Sequence, residues 1–454
     1  MSSIATRTKT DSGAPSAVAA GVAGAHRAQM RKVALAAAMI IMCILMISFR
    51  PFMPEPETDG GGGGDIINQL GFSLLGVMAM LALATLADPR KVARIVGFGW
   101  SLMFLLLFAS LMQSIYPAVV MRGAIFTMIG VCCVVAVLAL PQDGDGYARL
   151  LMTVASVVLV ISYAGVVLLP AGATHGADPI EPQNSYLWRG VFSHKNVAGP
   201  VMAAFAFSGL YLWRRGWRVS GVLIGLSALF FVAQTGSKTT MALVPMAMLL
   251  VMVPGAFGLR FLTVAAIFSI QFLFAFLTFG TVLFDPIRRF VESLGIDATF
   301  TGRVSIWQFA IENLPGRLWT GYGYESFWKS PIALEAANPY YLGWDVRNMV
   351  HAHNGYLDLV IAMGIPGLIC GVAVIIVMPL VNYMRCRPQR ENLLLADYFL
   401  MIVFFCTLNA MMESFFFRRV DPVWLTTLLG IFGLRLTSRI SIPKRLAAST
   451  GDHS

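Results

Sequence analysis

Two histidines in the last third of the chain are suited to proton transfer. His351 and His353 stand two positions apart, Asn354 follows directly, and Asp358 comes four residues later. A neutral imidazole accepts a proton readily near pH 7 and is a suitable general base. A lone loop histidine is usually solvated and idle. The pair with its polar neighbours therefore predicts a site of proton transfer.

Arginines in the same polar segments have the chemistry of an anion site. The guanidinium group is a planar fork that matches the oxygens of a phosphate in pairs. Arg189 and Arg303 each stand beside a glycine and close to aromatic residues. Surface ion pairs and contacts with lipid headgroups account for most of the other basic residues in these segments. Among those so explained are Arg288, Arg289, Arg317 and Lys329, and the other basic residues in these segments are Lys195, Lys238, Arg347, Arg418 and Arg419.

Two patterns could instead hold a metal ion. His351 and His353 form a His-x-His pair, but no third ligand follows at a clear spacing. Asp143-Gly144-Asp145 spells the DxD motif of metal-dependent glycosyltransferases, yet two acidic residues in a glycine-rich stretch usually form only a turn. We predict no metal site and no cofactor.

Composition places these residues in a membrane protein. Of 454 residues, 57% are hydrophobic and only 12% are charged, whereas soluble domains carry about 25% charged residues. Apolar runs of roughly 17–25 residues recur along the chain, long enough to cross the hydrocarbon layer as helices. The runs are continuous and do not alternate, which favours helices over a barrel. The predicted fold class is all-α, polytopic membrane protein.

Loop charges set the predicted topology. Arginine and lysine recur in alternate short loops, which puts both termini in the cytoplasm. Residues 1–32 and 441–454 are expected to be tails, with a disordered N-terminal tail, and residues 33–440 form the membrane domain. A large periplasmic loop, residues 284–354, separates helices nine and ten. About twelve spans are predicted, over residues 33–52, 66–87, 95–112, 118–140, 151–169, 197–213, 219–233, 239–254, 261–283, 356–381, 393–412 and 423–434.

Short motifs follow one another in a recognisable order on this scaffold. They are Arg-Gly-Val-Phe-Ser-His-Lys-Asn at 189–196, Gly-Ser-Lys at 236–238, Thr-Gly-Arg at 301–303 with Ile-Trp at 306–307, Gly-Tyr-Gly at 321–323 with Phe-Trp at 327–328, His-Asn-Gly-Tyr-Leu at 353–357 and Gly-Ile-Pro-Gly at 364–367. Over roughly residues 100–435 the chain resembles the O-antigen ligase and polysaccharide polymerase superfamily of bacterial inner membranes. The first and third motifs look most like its exopolysaccharide polymerase branch.

The resemblance implies an integral-membrane, GT-C-like glycosyltransferase that works on the periplasmic side by a metal-independent, inverting mechanism. The donor would be a glycan on undecaprenyl diphosphate, and the acceptor the next lipid-linked repeat unit. The expected partners are these lipid-linked oligosaccharides and the bilayer. A chain-length co-polymerase could join them, and no nucleic acid is expected.

The family's functional positions carry over residue by residue. The resemblance makes Arg189 and Arg303 the diphosphate ligands and His353 the general base. Lys238 stands where many relatives have arginine, which leaves its role open. The expected orienting or substrate-binding residues are His351, Asn354, Tyr356, Lys195, Asn196 and Lys238.

Two other functions compete with this prediction. A ligase would transfer the glycan to lipid A core or to protein by the same reaction, and the sequence does not choose the acceptor. A lipid-linked glycan transporter would place ionisable residues within its helices near the midplane. In this sequence they lie at helix ends and in loops, which favours chemistry at the interface.

Overall fold

The computed structural model describes residues 17–53, 65–177, 184–337 and 345–445. The described residues contain α-helices and short 3₁₀ or π segments but no β-strand, apart from one isolated bridge between Thr174 and Trp188. The α-helices are α1 (Ala17–Ile47), α2 (Ile66–Leu86), α3 (Pro89–Ile95), α4 (Phe98–Ala109), α5 (Pro117–Ala139), α6 (Gly144–Leu168), α7 (Pro170–Ala173), α8 (Lys195–Arg215), α9 (Arg218–Gln234), α10 (Lys238–Ala256), α11 (Arg260–Leu283), α12 (Asp285–Ser293), α13 (Arg303–Glu312), α14 (Pro331–Leu334), α15 (Gly355–Val372), α16 (Met378–Met384), α17 (Arg390–Asn409) and α18 (Pro422–Arg439).

These helices make the chain an all-α polytopic membrane protein, as predicted. Nine helices in the described part of the chain are long and apolar enough to span a membrane, or ten when α3 and α4 count as one bent span. Every predicted span overlaps an observed helix. The figure of about twelve stays a prediction, because α9 and α18 do not meet the same combined criterion of length and hydropathy.

One predicted boundary was wrong. Residues 17–32 were expected in a disordered tail, but α1 already begins at Ala17, since this alanine-rich stretch has high helix propensity. The span predicted over residues 95–112 corresponds to α4 and the 3₁₀ turn that continues it to Gln113. The short helix α3 before it was not predicted and meets it at an angle of 66°, because the backbone is extended at Val96 and Gly97, between the two helices.

Buried ion pairs hold α17 at the centre of the bundle. This helix is almost wholly buried and packs against α8, α10 and α18. Its Asp397 pairs with Arg214 at 2.8 Å and Arg260 at 3.3 Å, and its Glu391 pairs with Arg215 at 2.9 Å. Burying a charge is costly unless it is paired. These contacts therefore fix α8 and α11 against α17 at one end of the bundle, which we call the basic end.

The long segment between α11 and α15 lies at the other end, which we call the site end. It carries α12, α13 and α14 and a small hydrophobic core of its own that includes Trp307, Phe327 and Trp328. The Trp307 indole donates to the carbonyl of Ala352 at 2.9 Å. The segment is therefore a folded unit that packs directly on the histidine loop.

A break in α15 anchors this segment. Gly364 has φ of 67° and ψ of −170°, so the helix is interrupted there. The amides of Tyr322 and Gly323 donate to the carbonyls of Ile361 and Ala362 at 2.7 and 3.1 Å, and the amide of Ile365 donates to Leu318 at 2.7 Å. Backbone groups freed by a helix break must find partners inside a membrane protein. The Gly-Tyr-Gly motif supplies the partners of the two carbonyls and Leu318 supplies that of the amide.

We expect Gly364→Ala to destabilise the protein by about 2 kcal/mol or more, because its backbone conformation suits only glycine. A Cβ there would also lie 2.5 Å from the backbone of Trp319. The thermal unfolding midpoint of the purified chain in detergent measures the effect. Gly255→Ala in α10 is the control, since no atom lies within 4 Å of its Cβ position. Equal midpoints for the two variants would contradict the role of the break.

Candidate active site

A single carboxylate gathers three predicted site residues at the site end. Glu413 Oε1 accepts from Arg303 Nη2 at 2.7 Å and from Asn196 Nδ2 at 3.0 Å. Its Oε2 lies 3.5 Å from His353 Nδ1. The side chains of Arg303, His353 and Glu413 are only 18–22% exposed. We call Glu413, Arg303, Asn196 and His353 the carboxylate cluster.

Helix ends place the members of this cluster. Gly302 adopts the left-handed conformation with φ of 82° and lets α13 begin at Arg303. His194 caps α8, with Nδ1 accepting from the amide of Asn196 at 3.1 Å, and so holds that residue in the first turn. Glu413 follows the end of α17. Residues more than 200 positions apart therefore converge because three helices start or end at this surface.

The two histidines form one unit. His351 Nδ1 accepts from the amide of His353 at 3.2 Å, and their rings meet edge to face at 4.2 Å. His353 has φ of +50°, a conformation uncommon outside glycine. Asp358 stabilises the turn by accepting from the amide of Ala352 at 3.0 Å and from the indole of Trp328 at 3.3 Å. Asp358 thus holds the histidine turn through its backbone and through Trp328.

The surroundings shift the pKa values of Glu413 and of His351, which lies beside the carboxylate cluster. Burial alone would raise the pKa of Glu413, but the positive charge of Arg303 and the neighbouring imidazole of His353 outweigh it and lower the pKa to about 2. Burial lowers the pKa of His351 well below its usual value, and the nearby charges of His353, Arg418 and Arg303 lower it further. The site therefore holds a carboxylate and a neutral imidazole at pH 7.

Arg189 lies in a different setting from Arg303. Its Nε donates to the carbonyl of Thr174 at 3.1 Å, its Nη1 to Phe192 at 3.1 Å and its Nη2 to Phe52 at 3.3 Å. All three acceptors are backbone carbonyls, and the residue is 4% exposed. These contacts join the ends of three chain segments, so they favour a structural role over direct binding of diphosphate.

Several predicted substrate contacts also have partners within the protein. Asn354 caps α15 through Oδ1 and donates Nδ2 to the carbonyl of Met411 at 3.0 Å. The Tyr356 hydroxyl donates to the carbonyl of Thr407 at 2.9 Å. Lys195 Nζ donates to Asn184 at 2.6 Å. Lys238 is exposed in the first turn of α10. Asn354 and Tyr356 therefore hold the framework of the site, while Lys238 is accessible.

Glu413 was not predicted as a site residue, and no individual role was predicted for Arg418. Glu413 is an acidic residue directly after a membrane helix in a basic region, and that position was the only signal for it. Its partner Arg303 is 110 positions away in sequence, and a pairing over such a separation requires the fold. The charge of Arg418 lowers the pKa of the partly buried His351.

Asp143-Gly144-Asp145 forms the start of α6, where a turn was predicted. Asp143 Oδ1 accepts from the amide of Gly146 at 2.8 Å and caps α6, while Asp145 pairs with Arg215 at 2.6 Å. Both aspartates thus contribute to helix capping and ion pairing at the basic end.

Comparison with known proteins gives the same class as the motif order. Residues 196–372 match the sequence profile of the O-antigen ligase family. This region includes Asn196, Arg303 and His353, but Glu413 lies beyond it. This part of the chain is therefore similar to the O-antigen ligase family.

One relative narrows the comparison. The chain is 27% identical over 230 residues to the exopolysaccharide production protein ExoQ of Rhizobium meliloti (strain 1021). The alignment covers 46% of this chain and 50% of that protein. The chain thus matches about half the length of this relative, and the predicted resemblance to an O-antigen ligase and ExoQ-like family is confirmed.

We expect acid to destabilise the wild-type protein more than His351→Asn. In the unfolded chain His351 takes up a proton near pH 6.5, whereas its folded pKa is well below that value. Because only the unfolded chain binds this proton, the free energy of unfolding falls by up to about 1.4 kcal/mol for each pH unit below 6.5. Thermal unfolding midpoints at pH 7.5 and 5.0 measure the difference, and other titrating groups cancel between the two proteins.

His26→Asn is the matched control, because His26 is exposed on α1. Its loss of stability between the two pH values should equal that of the wild type. If His351→Asn lost as much stability as the wild type between these pH values, burial of His351 would not contribute to the sensitivity to acid.

Proposed function

We propose that the carboxylate cluster transfers a glycan from undecaprenyl diphosphate to a sugar hydroxyl of the next lipid-linked repeat unit, which makes the protein an exopolysaccharide polymerase. The observation that carries the proposal is the contact of one carboxylate with both Arg303 and His353. An anion-binding group and a proton acceptor are the two functions that this reaction needs. The site end would then face the periplasm, with both termini in the cytoplasm.

His353 acts as the general base in this scheme. The Nδ1–H faces Glu413, which leaves Nε2 as the proton acceptor. The acceptor hydroxyl oxygen attacks the anomeric carbon of the donor sugar and its proton passes to Nε2. The bond from that carbon to the diphosphate oxygen breaks, and the electron pair leaves with undecaprenyl diphosphate. The leaving group is already a diphosphate, so no acid is needed to expel it.

Arg303 stabilises the negative charge that develops on the departing diphosphate. Its Nη1 donates to the carbonyl of Met412 and its Nη2 to Glu413, and these contacts hold the guanidinium beside His353. Arg418 is the second cation of the proposal, because its Nη1 donates to the carbonyl of Ser414, the residue after Glu413, at 3.3 Å, and its charge lowers the pKa of His351. Arg189 serves in the proposal as a residue that holds the loop in front of α8.

Glu413 is a positioning residue. Its carboxylate fixes the imidazole through Nδ1 and stabilises the imidazolium that forms when the proton arrives, as the third member of a catalytic triad does. The same group holds Arg303 in place. Its low pKa keeps it ionised throughout the range in which histidine can act as a base.

A ligase remains the second candidate, and the description of the matching domain as an O-antigen ligase favours it. The relative concerned with exopolysaccharide production favours the polymerase. The size distribution of glycan on lipid carrier and on product, in cells with and without the protein, decides between them. A polymerase is expected to leave single lipid-linked repeat units when it is absent. Long polymer that stays on the carrier and never reaches lipid A or protein would identify a ligase.

We expect His353→Ala to lower the rate of glycan transfer by about 10²–10⁴-fold, the usual contribution of a general base. The measurement is polymer formed per molecule of inserted protein, with lipid-linked single units as the accumulating species. His26→Ala is the control, because it removes an exposed imidazole of α1 that is distant from His353 in sequence. Unchanged polymer in His353→Ala, at equal membrane insertion, would remove His353 from the mechanism.

A further inference from the structure

Four arginines line a pocket of about 470 Å³ at the basic end of the bundle. They come from three separate places: Arg94 from α3, Arg387 from the loop after α16, and Arg435 and Arg439 from the last turns of α18. Ala93 and Ser438 complete the lining. The carboxylate cluster is not part of this pocket.

The pocket differs from its surroundings in the balance of charge. Nearby Arg214, Arg215 and Arg260 each form an ion pair with a carboxylate. Among the residues that the structure describes, none of the four pocket arginines does so, and no carboxylate lines the pocket. Like charges held together repel one another, and this repulsion is offset when an anion lies between them.

Two of the guanidinium groups are fixed at one edge by backbone carbonyls. Arg435 Nε donates to the carbonyl of Arg94 at 3.0 Å, and Arg387 Nη2 donates to the carbonyl of Arg439 at 3.3 Å. A Cβ at Gly97 would lie 2.8 Å from Arg435 Cζ, so the guanidinium packs against the backbone at this glycine. The remaining N–H groups of these arginines make no hydrogen bond within the described part of the chain.

We propose that this arginine pocket binds a phosphate group. Preorganised guanidinium groups bind phosphate oxygens in pairs and lose less freedom on binding than a mobile lysine would. Basic loops at a membrane surface usually attract anions in a diffuse way. Here, by contrast, four arginines from three segments surround one volume. The phosphate could belong to the headgroup of an anionic lipid or to a soluble phosphate compound, and both present the same oxygens.

The test is a binding titration of the purified full chain in neutral detergent at physiological salt. The probes are dioctanoyl phosphatidylglycerol, dioctanoyl phosphatidylcholine and inorganic diphosphate. The pocket variant is Arg94→Gln with Arg439→Gln, since both side chains are exposed. The control is Arg90→Gln with Arg385→Gln, which removes the same charge from exposed residues of the neighbouring α3 turn and loop.

We expect the pocket variant to lose about tenfold or more in affinity for phosphatidylglycerol or diphosphate, which corresponds to one charge-assisted hydrogen bond. The control should stay within about twofold of the wild type. Loss confined to phosphatidylglycerol identifies a lipid headgroup, while loss for diphosphate identifies a soluble phosphate. Equal loss in both variants, or loss in neither, would overturn the proposal. Gel filtration and the unfolding midpoint show whether each variant is folded. The binding comparison is repeated with two single variants, Arg439→Gln for the pocket and Arg385→Gln as the control.

A failed test here would leave the proposed glycosyl transfer intact. The carboxylate cluster can itself attract diphosphate, so the difference between the two double variants is the relevant result. His353→Ala, in turn, leaves the arginine pocket unchanged.

Discussion

The site end depends on one carboxylate that is shielded from water. A buried Glu413 without partners would be protonated or would destabilise the fold, because an isolated buried charge is costly. Arg303 and Asn196 satisfy one of its oxygens and His353 approaches the other. The loop after α17, the start of α8, the start of α13 and the turn before α15 must therefore all lie at one place. Electrostatics and chain geometry support the same arrangement.

The break in α15 explains how the polar segment between α11 and α15 is held next to this cluster. A continuous α15 would satisfy its own backbone and offer nothing to the segment beside it. At Gly364 the helix is interrupted, and the carbonyls of Ile361 and Ala362 accept from the loop. Trp307 then ties α13 to the histidine turn through Ala352. The position of Arg303 relative to His353 is thus set by backbone hydrogen bonds on both sides, and side-chain packing completes it.

The spans could be predicted from sequence because continuous apolar runs have few alternatives in a bilayer. Motif order brought out Arg303, His353 and Asn196, which the fold does bring together. The partners of each side chain could not be predicted in the same way. Arg189 and Arg303 look alike in sequence, each beside a glycine and near aromatic residues. The first donates to three carbonyls from distant segments, and the second pairs with a carboxylate 110 positions away.

The two ends of the bundle show how an excess of positive charge can be used. With 33 basic and 23 acidic residues, the chain cannot pair every cation with a carboxylate of its own. Where a pair is buried, as between Arg215 and Glu391, the arginine holds helices together. At the site end Arg303 pairs with Glu413, and the same carboxylate contacts His353. Neither Arg189 nor the pocket arginines have a carboxylate partner among the described residues, but Arg189 is buried against three carbonyls, whereas the pocket arginines line an accessible volume. The free energy that an external anion can contribute therefore depends both on how far the chain neutralises a cation and on whether the anion can reach it.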